Sequence, residues 1–162
     1  MMGAAVALQV LLAPQLVSID QASSQQTAVS VKASIQNPSN EPVTMLKWGT
    51  PFDPKAGILG VFQVQDETDG QAVPLDTIKF SRKLPPAADD LLEIAPESTV
   101  DTVVTLPPMP LQSGHDFSIR AQGRWHAVWE TPVSDIHNDK LEQLSDADRG
   151  DFESNTVQFK IE

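Results

Sequence analysis

Between residues 27 and 36 the chain alternates without a fault. Val29, Val31, Ala33 and Ile35 fall on one side and Ser30, Lys32, Ser34 and Gln36 on the other. A period of two with one polar side is the pattern of an antiparallel strand with one face in a core and one in water, and it does not suit a helix. Turn chemistry follows at once in Asn37-Pro38-Ser39-Asn40. Further strand-like runs lie at 43–48, 60–66, 91–94 and 99–106, and at 154–162 with Val157, Phe159 and Ile161 inward. Gly49-Thr50-Pro51-Phe52-Asp53-Pro54 breaks the ladder after Trp48, because two prolines and a glycine cannot join one. Glu67-Thr68-Asp69-Gly70 reads as a hairpin turn. It leads into an edge strand over 71–80, marked by Pro74, with Ile78 and Phe80 on one face.

Later in the chain, Phe117, Ile119 and Ala121 alternate, and Gln122-Gly123 is expected to turn into a strand over 124–130 with Trp125 and Trp129 on one side. Residues 139–150 are the one helix candidate, with Leu141 and Leu144 three apart and Gly150 as its stop. Roughly eight or nine short strands with turns every 8–12 residues predict an all-β fold, an immunoglobulin-like antiparallel β-sandwich with one short helix near the C-terminus. At 162 residues, without a repeat or a linker, the expectation is a single domain over 1–162.

Composition narrows the function classes. The net charge of −11 disfavours nucleic acid and anionic membrane surfaces as partners. Zero cysteines exclude disulfides, thiol catalysis, Cys-ligated zinc and iron–sulfur clusters, and His115, His126 and His137, each 11 residues from the next, would need strand and loop geometry to converge by accident before they could bind a metal. Asp66 to Gly70 resembles a calcium loop only superficially: position 77, where a bidentate Glu would stand, is Thr77, so a solvated turn is expected. No His-Glu-x-x-His, phosphate-binding glycine motif or Gly-x-Ser-x-Gly elbow occurs, and Ser134, Asp135 and His137 within one loop do not make a triad. The expectations are no enzyme, no cofactor and no metal.

The apolar start of the chain, up to Pro14, allows two readings. It has no Lys or Arg and is interrupted by Gln9, so a first strand over 6–12 is favoured over a signal peptide, and with no N-glycosylation sequon the cytoplasm is favoured over secretion. Trp48 is expected in the core between the sheets. The candidate partner-binding residues are Phe52, Asp53, Trp125 and Trp129, since aromatic side chains carry interface energy out of proportion to their number.

Taken in order, 6–11, 29–37 and the block Leu46-Lys47-Trp48-Gly49-Thr50-Pro51-Phe52-Asp53 resemble the amino-terminal pro-region of deuterolysin-type (aspzincin) zinc endopeptidases. Gly60 to Val64, Gly70, Ala88-Asp89-Asp90, Ile94 to Ser98 and Glu153 to Val157 extend the similarity over nearly the whole chain. The family's proteases carry a His-Glu-x-x-His helix that is missing here, so the resemblance implies a pro-region fold without the catalytic domain. It implies a non-catalytic binding module with a protein partner, a deuterolysin-type metalloprotease that it inhibits or helps to fold. The alternative is a stand-alone β-sandwich structural or interaction protein with no protease partner.

Overall fold

A computed structural model describes residues 8–13, 18–23, 26–75, 77–78 and 82–161. In chain order the strands are β1 (Gln9–Leu12), β2 (Ser18–Ser23), β3 (Gln26–Asn37), β4 (Val43–Leu46), β5 (Phe62–Asp66), β6 (Gln71–Ala72), β7 (Leu91–Ile94), β8 (Ser98–Thr105), β9 (Asp116–Trp129), β10 (Asp148–Glu153) and β11 (Val157–Lys160). Among the described residues one α-helix, α1 (Asn138–Gln143), precedes β10. All pairings are antiparallel.

Each sheet is built on one long strand. In the first sheet β3 pairs with β8 from Ser30↔Thr105 to Asn37↔Ser98, and bonds between Thr27 and Met109 continue that edge. With this edge occupied, β1 and β2 lie end to end along the other. In the second sheet β9 carries β5 and then β4 along one edge, and β11 and then β10 along the other. β6 and β7 extend the sheet beyond β5 and β4.

The alternation in β3 explains how the sheets face each other. Val29, Val31, Ala33 and Ile35 are fully buried and pack in one cluster with Phe62, Phe117, Ile119, Ala121 and Trp125 of the other sheet. Burying a side chain of this size stabilises by about 1.5–3 kcal/mol, so the valines, Ile35 and their partners dominate the fold's energy. The polar side of β3 is used as well. Ser30 shares a hydrogen bond with Thr105 (2.7 Å), Ser34 donates to Asp101 (2.6 Å) and Lys32 pairs with Asp101 at 3.5 Å. The all-β, immunoglobulin-like sandwich with one short helix is therefore the observed fold.

Several local expectations are corrected. Gln122-Gly123 is no turn: β9 runs through it, and glycine is needed because a Cβ at Gly123 would lie 2.9 Å from the Phe152 ring and 3.2 Å from the Gly49 carbonyl. Trp125 and Trp129 do not share a side. Asp148 opposes Val128 whereas Gly150 opposes Trp125, so three β9 residues span two of β10; this bulge reverses the facing. Trp125 joins the inter-sheet core against Phe152, with ring centroids 4.8 Å apart, and Trp129 joins a second cluster with Leu46, Ala127, Ile136 and Leu141. The tryptophan between the sheets is thus Trp125, while Trp48 packs, half-buried, against the second cluster.

The helix is shorter than 139–150. Leu144 adopts a left-handed conformation (φ 54°) that ends α1, Asp146 follows at φ 61°, and Asp148 onward pairs with β9. The strand expected over 71–80 reduces to the two residues of β6: Val73 makes one further ladder bond to Val64 before Pro74, and Ile78 is 47% exposed. Near 154–162 the strand is trimmed to β11, with Val157 buried and Phe159 partly so, and Ile161 is buried just beyond it. β2 was not expected from its polar sequence. Val6 and Ala7 of the first predicted strand, and Phe80, lie outside the described residues.

Candidate functional site

The loop after β4 is organised by one carboxylate. The Asp53 side chain is fully buried. Its Oδ2 accepts from the Gly49 amide (2.9 Å); its Oδ1 accepts from the Lys55 amide (2.9 Å) and from Arg82 Nη2 (2.7 Å). Thr50 completes the loop, its hydroxyl donating to the Lys47 carbonyl (2.7 Å) and accepting from the Phe52 amide (3.2 Å). Gly49 has φ +74°, and a Cβ there would stand 2.9 Å from the His126 imidazole, so both the conformation and the space call for glycine.

This loop forms one wall of a cleft of about 590 Å³. Trp48, Asp53, Arg82 and His126 supply polar groups; Leu59, Ile78, Leu84 and Leu144 supply the apolar surface. Ile78 and Leu84 are 47% and 46% exposed, among the few large hydrophobic side chains so open to water in the described residues. The Arg82 guanidinium lies 5.5 Å from the centre of the Trp48 ring, within cation–π range, while paired with Asp53. Trp48 Nε1 is buried and has no hydrogen-bond partner, alone among the described side-chain polar atoms. Desolvation of the His126 ring lowers its pKa, Arg124, Arg149 and Arg82 push it further down, and Asp53 opposes them.

A second polar centre lies on the β5–β6 hairpin. Asp66 Oδ1 accepts from the Thr68 and Asp69 amides (3.0 and 3.1 Å), and Asp66 Oδ2 pairs with His115 Nδ1 at 2.8 Å. Burial would raise the Asp66 pKa, but the His115 hydrogen bond and the two backbone donors outweigh it and lower the value. The hydrogen bond that His115 donates to Asp66 raises the pKa of His115, with Asp66, Asp69 and Asp116 adding attraction against the desolvation of the ring. Asp66, Asp69 and His115 bring ligand-type atoms within 4.8 Å of one another. Both Asp66 oxygens hold protein partners, so the cluster staples the hairpin to the residues that lead into β9. This corrects the expectation of a simply solvated turn.

Of the predicted binding residues, Phe52 is half-buried against the main core, Asp53 is the loop organiser, and Trp125 and Trp129 are 1% and 3% exposed. Only Asp53 lines the cleft. Sequence reading did not single out Arg82, Ile78 or Leu84 as site residues. Arg82 stands 29 positions from Asp53, beyond the reach of any local motif.

Two packed antiparallel sheets with a polar-walled apolar cleft at one side define a β-sandwich. The immunoglobulin-like domain family matches residues 16–161, and the chain belongs to it. An uncharacterized secreted protein of Arthroderma benhamiae is 44% identical over 123 residues, which cover 74% of this chain and 62% of that protein. The aligned region thus spans less than two thirds of the relative. The X-ray structure of Northeast Structural Genomics Consortium target SoR45 superposes over 95% of this chain and 86% of its own at TM-score 0.47 and 6% identity. Nothing among these findings ties the chain to deuterolysin pro-regions. The expectation of a cytoplasmic protein is overturned by the Arthroderma relative, which is a secreted protein.

Proposed function

We propose that this immunoglobulin-like domain is a secreted, non-catalytic binding module whose binding site is the Trp48–Arg82–His126 cleft. Secretion follows the relative of Arthroderma benhamiae. The observation that carries the binding reading is the cleft itself: it is of the size that holds a small molecule or a side-chain cluster, and it combines open apolar side chains with a few fixed polar groups. The fold implies no reaction, because immunoglobulin-like sandwiches host many unrelated functions on their loops.

Amide NMR spectra recorded during titration with a panel of small neutral, anionic and cationic amphiphiles test this reading. Shifts are expected at Gly49, Ile78, Arg82 and His126 for at least one class. Shifts confined to other surfaces, or none at millimolar probe, would remove the cleft as the binding site.

A protease-directed role is a second reading, supported only by the sequence blocks around Trp48 to Asp53 that resemble deuterolysin-type pro-regions. Mixing the domain with such a protease at micromolar concentration checks it. A stable complex or inhibition would favour it, and neither would leave the domain as an interaction module without that partner.

A further inference from the structure

β8 leaves one of its two edges open. The Leu106 amide donates to the Val29 carbonyl (2.9 Å), and the register from Ser30↔Thr105 to Asn37↔Ser98 has no shift. The even-numbered residues of β8 therefore spend their backbone bonds on β3. Thr99, Asp101, Val103 and Thr105 turn their N–H and C=O groups the other way, where no described residue bonds to them. The Thr105 end is covered: the turn at Ala56–Ile58 lies so close that a Cβ at Gly57 would stand 2.5 Å from the Thr105 carbonyl oxygen. Thr99, Asp101 and Val103 remain open. At β1, by contrast, Asn155 takes both backbone groups of Leu12, accepting from its amide (2.7 Å) and donating to its carbonyl (3.0 Å). β8 also lacks the usual guards of an edge. It has no proline, no lysine and no bulge; six of its eight residues are Thr or Val, and Val103 is 54% exposed.

We propose that this edge takes an extended, basic segment of a partner protein as a further strand. The site is separate from the cleft and does not depend on it. Attachment comes from the backbone, since each of the three open residues offers one donor and one acceptor at strand spacing. Charge selects the occupant. A second copy of the chain is the natural competitor, because an open edge can pair with its own kind. The antiparallel register that uses all three residues sets Thr99 against Val103 and Asp101 against Asp101, a like-charge pair between molecules of net charge −11. Lys32 offsets Asp101 only in part, at 3.5 Å with both side chains 48% exposed. Glu97, exposed just before β8, adds to the acidic side. A lysine or arginine opposite Asp101 turns the same contact into an attraction, and a β-branched residue opposite Val103 covers its exposed side chain.

NMR titration and amide hydrogen exchange with peptides of about nine residues, within the usual length of a strand, test the proposal. The probe alternates Lys with Thr and Val. One control carries Glu for Lys; the other keeps Lys but is N-methylated along one edge. The Lys peptide is expected to shift the Thr99, Asp101 and Val103 amides and to slow their exchange, while Val100 and Thr102, already bonded to β3, stay protected throughout. Both controls should bind about tenfold or more weakly. Val103→Pro removes only an outward N–H, so it should leave the β3 ladder intact and abolish the protection at Asp101. Should that variant unfold, Asp101→Lys on the exposed face replaces it and should weaken the Lys peptide severalfold. No protection at the three amides with millimolar Lys peptide overturns the site, as does unchanged binding to the folded variant. Equal binding of the N-methylated peptide overturns strand addition, and equal binding of the Glu peptide overturns the basic partner. Protection of the same amides that rises with protein concentration alone assigns the edge to a second copy and overturns the proposal.

Discussion

Two aspartates, Asp53 and Asp66, solve the same problem in neighbouring loops with different partners. Each ends up buried, and each gathers two backbone amides that its turn would otherwise leave unpaired. Each is then paired with one side chain brought from far along the sequence, Arg82 for Asp53 and His115 for Asp66. The difference lies in the partner. A guanidinium keeps its charge throughout the physiological range, whereas an imidazole gains and loses its proton there. The loop beside the cleft is therefore held by a permanent pair, and the hairpin by one that depends on pH.

The sharpest way to break the comparison is at Asp53. Asp53→Ala removes the acceptors of Gly49, Lys55 and Arg82 together. Loss of one partner of a buried charged network costs about 3 kcal/mol or more. Urea unfolding should show that loss, and NMR shifts should extend along residues 47–55 and to His126. A loss below about 1 kcal/mol would mean that the loop does not depend on its carboxylate.

Gly49→Ala probes the same loop from the backbone. A side chain must adopt φ +74° and displace the His126 ring from 2.9 Å. The expected loss is about 1–3 kcal/mol, with His126 moved in the cleft. Gly49→Ala combined with His126→Ala should recover part of it, because the second change removes the clash and leaves only the backbone cost. No recovery would place the whole cost in the backbone.

How much of this was legible in the sequence depends on distance along the chain. β3, β5, β7 and β8 were visible because their alternation or β-branched content is a local property, and the fold class followed from them. β2 was invisible because an edge strand along β3 needs few apolar residues. The continuity of β9 and the opposite facing of its tryptophans depend on a bulge set by β10, a strand that the apparent helix pattern of 139–150 concealed. The block from Trp48 to Asp53 stood out as distinctive, but its meaning did not. Thr50, Asp53 and Gly49 specify a loop, and the guanidinium that completes it arrives from position 82. The aromatic residues chosen as contacts were chosen by type, and packing placed two of them in cores.

The hairpin half of the comparison predicts a pH dependence of stability through His115 and Asp66. The raised pKa of His115 means that its contribution is fully present below the ordinary imidazole value of 6.5 and is lost as pH rises through the raised value. The lowered pKa of Asp66 means that its contribution is present above the ordinary value of 3.8 and is lost as pH falls through the lowered one. The pair is thus fully formed between those limits. Thermal unfolding from pH 5 to 9 should show the difference between the wild type and His115→Gln shrinking on the alkaline side. A His115→Gln difference that stays constant over this range would mean that the pair holds the hairpin by geometry alone, without its charge.

The smallest effect separates the two acids that face His115. Asp66 touches Nδ1 at 2.8 Å and is mostly shielded; Asp69 stands at 3.9 Å with its side chain 53% exposed. At that distance and exposure water screens most of the attraction, and the entropy of a surface side chain offsets more. Asp69→Asn should therefore lower the titration midpoint of His115, followed by NMR of its ring protons, only slightly and leave the unfolding temperature almost unchanged. Asp66→Asn should lower that midpoint much further, because it removes both the hydrogen bond and the nearest charge. Raising the salt concentration should shrink the Asp69 effect before the Asp66 effect, since only the exposed partner is open to counterions. If the two variants move His115 equally, the hairpin is governed by its overall acidity, and the pairing of Asp66 with His115 is not the specific counterpart of Asp53 with Arg82.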